Sequence, residues 1–100
     1  MNYLTLNELK KQCVIDLDFH DDDEYLESLG DAAEELVQRH INTLLSDVAA
    51  KHDGNLPAPL KHAIKMIVEY FYNNRGSDST TIPEAYFYMC NMYRKFHAAI

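Results

Sequence analysis

The stretch LPAPLKHAIKMIVEYFYNNRG, residues 56–76, restricts the fold more than any other part of the chain. Pro57 and Pro59 fit an α-helix only at its start, where a missing N–H is no loss and proline's φ is already helical. Gly76 supplies the stop. At roughly 100° per residue, Leu60, Ala63, Ile64, Ile67, Val68 and Phe71 fall on one stripe. Met66 and Tyr70 widen it on one flank, and Tyr72 sits beyond the other. Lys61, His62, Lys65, Glu69 and Asn73 make up the remaining polar arc. The apolar arc spans about 200°, against the ~100° that a one-sided surface helix needs. Such a helix is either surrounded within its own domain or also faces another subunit, and the sequence leaves both open.

The rest of the chain supplies the packing partners. Thr5 followed by Glu8 is a capping box, with Leu4 and Leu9 spaced for a hydrophobic staple. A short first helix therefore runs from about residue 6 to 13 and buries Leu6, Leu9 and Cys13. In VIDLDFHDDD, Ile15, Leu17 and Phe19 alternate with acids and are expected to plug the core beneath a turn. A second helix starts at Asp21 or Asp22, where acids suit the positive end of the dipole. Its stripe of Leu26, Leu29, Ala33, Leu36, Val37, Ile41 and Leu44 carries it to about Asp47. AAKHDGN is then a loop that turns at Asp53-Gly54. After GSDSTT, a flexible link, Ile82-Pro83-Glu84 opens a last helix with Tyr86, Met89, Cys90, Tyr93 and Phe96 on one side. The expected fold is all-α: one compact four-helix domain over residues 1–100, with a short first helix, two long central helices and a proline-started C-terminal helix. One hundred residues suit one domain, and a chain of this size has little stability to spare.

Charge excludes several functions. Nine Lys and Arg stand against sixteen Asp and Glu, a net −7. No helix concentrates the cations that a duplex backbone or a helix-turn-helix reader requires. The acidity is one patch, since residues 16–35 hold ten acids and neither Lys nor Arg. Within it, Asp16, Asp18, His20, Asp22, Glu24 and Glu27 match the ligand places of a calcium loop. The sixth place, where the sharp turn needs glycine, is Asp21, so a solvated, helix-capping acidic face is expected instead. The five histidines show no zinc-site spacing, with each other or with the cysteines. Cys13 and Cys90 stand alone and read as small buried hydrophobes in a reducing compartment. The first twelve residues lack the pattern of a signal peptide. Lys65 and Glu69 interrupt the greasiest segment, so no membrane span is expected. No nucleophile motif or phosphate-cradling glycine loop is present, and no enzyme, metal or cofactor is expected.

Tyrosines and methionines suggest a different use. Tyr70, Tyr72, Tyr86, Tyr88 and Tyr93 crowd the last two helices together with Met66, Met89 and Met92. Such residues are enriched in the centres of protein interfaces. A tyrosine-rich edge of the protomer's own core fits equally well.

The order of these signals resembles the small head–tail connector (adaptor) proteins of tailed bacteriophages, often labelled possible DNA-packaging proteins. The matching parts are LTLNELKKQCVID with its aspartate-rich turn, LESLGDAAEELV, the 56–76 segment ending in Tyr72, Asn74 and Arg75, and the closing helix with MYRKF. Family members commonly end the first helix in Leu-Arg-Ile, where this chain has Cys13, Val14 and Ile15. They often carry a longer insertion between the second and third helices. The resemblance implies a non-enzymatic structural protein of a phage or prophage, forming a homo-oligomeric ring of roughly twelve copies. The ring would sit below the portal protein, extend the DNA channel and seat later head-completion or tail proteins, with DNA only as passing cargo. It implies assembly in the host bacterial cytoplasm and residence at the virion head–tail junction.

The residues expected at interfaces are Met66, Tyr70, Tyr72, Arg75, Tyr86, Tyr93 and Arg94 on the aromatic side. Glu27, Asp31 and Glu34 on the acidic helix are expected to approach Lys10, Lys11, Lys61 or Lys65 of a neighbour, because a ring joins unlike faces. Arg75, at a helix C-terminus, also suits the dipole there. The alternative is a small bacterial helical regulator that binds one partner protein through its tyrosine-rich face.

Overall fold

The computed structural model describes residues 3–74 and 82–94. Among them the chain forms five α-helices and no strand: α1 Leu6–Gln12, α2 Asp23–Ile41, α3 Leu45–Ala50, α4 Ala58–Asn73 and α5 Glu84–Asn91. The wide apolar arc of α4 has its explanation here, because α1, α2 and α5 all pack against this helix. Leu60, Ala63, Ile64, Ile67 and Val68 are fully enclosed. Phe71 is turned outward, edge-on to Tyr70 at 5.5 Å between ring centres. Arg75 and Gly76 lie outside the described residues, as does the 76–81 link.

Local chemistry sets the ends of the helices. Thr5 Oγ1 accepts the Glu8 N–H at 3.2 Å while Glu8 Oε1 accepts the Thr5 N–H at 3.3 Å, closing the capping box of α1. At the other end, Val14 N–H reaches Lys11 O and Ile15 N–H reaches Lys10 O, the latter at 2.8 Å. That Schellman arrangement requires a left-handed residue, and Val14 takes it at φ 57°. Pro57 lies at the cap of α4 with Pro59 in its first turn, and Pro83 lies at the cap of α5, which itself begins on Glu84.

The long second helix expected from the sequence is two helices. Asn42 adopts φ 57°, ψ 37°, and Thr43 N–H turns back to Gln38 O at 3.4 Å. The Gln38 side chain then accepts the Leu45 N–H at 3.0 Å, satisfying an otherwise orphaned donor at the start of α3. One residue thus serves both sides of the break. α3 buries Leu45, Val48 and Ala49, while Leu36 and Leu44, assigned to the core stripe, are exposed. Ala49 and Ala50, assigned to a loop, are helical.

Leu17 and Phe19 also depart from expectation. Ile15 packs against the core, but each of the other two is 42 % exposed. The cause is Lys10, only 1 % exposed. Its ammonium donates to Leu17 O at 3.2 Å and Phe19 O at 2.7 Å, and pairs with Asp23 Oδ1 at 2.8 Å. His20 Nδ1 lies 3.4 Å from the same ammonium. The loop turns its carbonyls inward to this cation and its side chains outward.

Candidate interaction surfaces

The described residues include no group of three metal-capable side chains and no helix long and apolar enough to cross a membrane. Two acids of residues 16–23 have local partners: Asp16 Oδ1 accepts the Asp18 N–H at 3.2 Å, and Asp23 Oδ2 lies 2.9 Å from His20 Nδ1. Burial, then the nearby charge of Glu69, push the Cys13 thiol up to about 11, which leaves it little thiolate at neutral pH. Burial likewise raises Cys90, and both cysteines are free. What the chain offers is surface.

Three surfaces stand out. The first is a groove of about 550 Å³ between the start of α4 and the side of α5. Tyr88, Met89 and Met92 give it an apolar floor, with Ala58 and Pro59 behind, and Lys61, His62 and Lys65 form its rim. Tyr88 is 75 % exposed and Met92 56 %. The second is an acidic cleft of about 350 Å³ walled by Asp31, Glu34 and Glu35 of α2, with Tyr3, Gln38 and Leu45. The third is the α1–α2 loop with its outward Leu17 and Phe19.

Their relative placement follows from the packing. Lys65 pairs with Glu8 at 3.6 Å and Gln12 donates to Glu69 at 2.7 Å, so α1 runs alongside α4 in the same direction. Tyr72 OH donates to Asp22 Oδ2 at 2.7 Å, tying the far end of α4 to the start of α2. The α1–α2 loop is therefore at the C-terminal end of α4, and the groove is at its N-terminal end.

A family model described as Phage gp6-like head-tail connector protein matches residues 3–99. The chain belongs to this family of phage head–tail connectors. No curated protein and no solved structure gives a match. A structural role at the junction of head and tail goes with the family, as does association with other phage head or tail proteins.

The connector redistributes the residues expected at its interfaces. Tyr86 is buried in the protomer, its ring 5.6 Å from His40 and 5.1 Å from Phe87, so it is a core residue and not a surface anchor. Its hydroxyl is enclosed, and burial raises its pKa, with the neighbouring Cys90 adding to the effect. Lys10 is likewise internal and cannot reach a neighbour. Glu34 is buried and accepts the Tyr3 N–H at 3.1 Å, which makes it the back wall of the acidic cleft. Met66, Tyr70, Tyr72 and Tyr93 are half-buried, with Met66, Tyr72 and Tyr93 packed against the core. Arg94, Glu27 and Asp31 are exposed, Lys61 and Lys65 are half-buried, and Arg75 lies outside the described residues.

The largest exposed apolar groups of α5 and its C-cap are instead Phe87, Tyr88 and Met92. A signal for them was present. Removing the inward stripe of Tyr86, Met89, Cys90 and Tyr93 from the helix leaves Phe87, Tyr88 and Met92 on the outside, where a monomer needs polar residues.

Proposed function

We propose that the connector is a ring-forming adaptor of a phage or prophage head, seated below the portal. In this reading it lengthens the DNA channel and presents a platform for head-completion or tail proteins. It has no catalytic role, and DNA passes as cargo. Assembly takes place in the host bacterial cytoplasm and the ring stays at the head–tail junction of the virion. Family membership supports the role. The observation that carries the assembly is the Tyr88–Met92 groove, whose lysine rim lies at the other end of α4 from the acidic α1–α2 loop. Unlike faces at opposite ends of one protomer are what a heterologous, ring-closing contact requires. Lys61 and Lys65 on one side, and on the other the acidic α1–α2 loop with Glu27 in the turn of α2 that follows, are the charges assigned to that contact, while Asp31 walls the separate cleft. The net negative charge suits a channel wall along which DNA slides without adhering.

Co-expression with the portal protein of the same phage tests the reading. The connector is expected to sediment with portal rings and to be displaced by rising salt, because exposed charges are screened. Portal rings that sediment without a connector shown by circular dichroism to be folded would contradict it.

A further inference from the structure

The contact that builds such a ring is readable from two of the surfaces, and this inference rests on the assembly reading above. The α1–α2 loop presents Leu17 and Phe19 outward among Asp16, Asp18 and Asp21. At the other end of α4 the pattern is repeated with the charge inverted, as an apolar floor of Tyr88, Met89 and Met92 rimmed by Lys61, His62 and Lys65. An apolar centre inside a polar rim is the usual anatomy of a protein interface, and rims of opposite sign steer and fix the register of docking. We propose that the α1–α2 loop of one copy seats in the α4–α5 groove of the next, Leu17 and Phe19 meeting Tyr88 and Met92 while the aspartates meet the lysines.

Two features favour a second copy as the occupant. The loop is already held in shape, with Leu17 O and Phe19 O bonded to the buried Lys10 ammonium. Docking then orders little new chain, which removes a main cost of association. The loop and the groove also lie toward opposite ends of α4, with Lys61 and Tyr72 separated by about 16 Å of helical rise. One protomer cannot satisfy both itself. The contact joins unlike surfaces and leaves a free loop at one end and a free groove at the other, as a ring or an open chain of copies requires.

Cysteine pairing tests it directly. Leu17→Cys and Met92→Cys are made separately in a Cys13→Ser background, leaving only the buried Cys90 as a native thiol. Under mild oxidation at millimolar concentration, the mixture should form a disulfide-linked pair that neither variant forms alone. A link between two Leu17→Cys chains, or none in a mixture that light scattering shows to be associated, overturns the contact. So does a chain that stays monomeric and unlinked throughout. If Met92→Cys resists alkylation in dilute monomer, the groove is already covered within one protomer and the proposal fails. Independently, Lys61→Glu with Lys65→Glu should weaken association about tenfold or more at low salt, and a partner carrying Asp16→Lys and Asp18→Lys should restore it. Failure of the cross-link with portal binding retained removes this contact alone. Loss of portal binding as well removes the adaptor reading.

Discussion

Val14 holds its backbone at φ 57° while its side chain is 91 % exposed. A β-branched residue in the left-handed region costs roughly 1–2 kcal/mol, and this one buries nothing in return. Glycine relieves the strain but makes the unfolded chain more flexible by about 0.4–1 kcal/mol. Val14→Gly is therefore expected to stabilise the fold by about 0.5–1 kcal/mol, measured as a higher urea midpoint with an unchanged slope. Lys10 is the opposite case. Lys10→Met removes a buried cation that organises two carbonyls and a carboxylate, and should cost about 2–4 kcal/mol by the same measurement. The Lys10 hydrogen bond, and after it that of His20, hold Asp23 below its ordinary 3.8. With the folded pKa below the unfolded one, Asp23 contributes stability above the unfolded value and loses it as pH falls through the folded value. Acid unfolding of the wild type should accordingly steepen below about pH 4, and Lys10→Met should flatten that limb.

At the scale of elements, the break between α2 and α3 shows where sequence reasoning stops. Periodicity found the buried faces of α2 and α4 because Leu26, Ala33, Val37, Ile64 and Ile67 recur at helical spacing and no neighbour contradicts them. It ran through Asn42 for the same reason, since Ile41, Leu44, Leu45 and Val48 keep that spacing across the turn. The Gln38 side chain closes the gap, and a bond from glutamine to a backbone N–H seven residues on has no sequence signature. Lys10 was missed in a related way, because a lysine on a short helix reads as solvent-facing until a loop folds over it. The aromatic site was half legible. Composition marked α5 as interface-like, but the choice between Tyr86 and Tyr88 depends on which side of the helix meets His40. Asn42 offers a check on the break. Asn42→Val, a poor left-handed residue, should lower stability by about 1–2 kcal/mol, whereas Asn42→Gly should be tolerated. Equal effects from the two would show that the left-handed turn is not what separates α2 from α3.

For the molecule as a whole, α4 is the common partner of α1, α2 and α5, so no helix has a core of its own. Unfolding followed by circular dichroism and by the fluorescence of the seven tyrosines should give one coincident transition. Ile67→Ala, at the fully enclosed centre of α4, should move both signals together and cost about 2–5 kcal/mol. That central position also divides the chain's evolutionary freedom in two. A random library screened only for foldedness should hold Leu60, Ala63, Ile64, Ile67 and Val68 nearly invariant, since α1, α2 and α5 all pack on the helix that carries them. Leu17, Phe19, Tyr88 and Met92 should drift in that library and stay fixed when the same library is propagated through infectious particles.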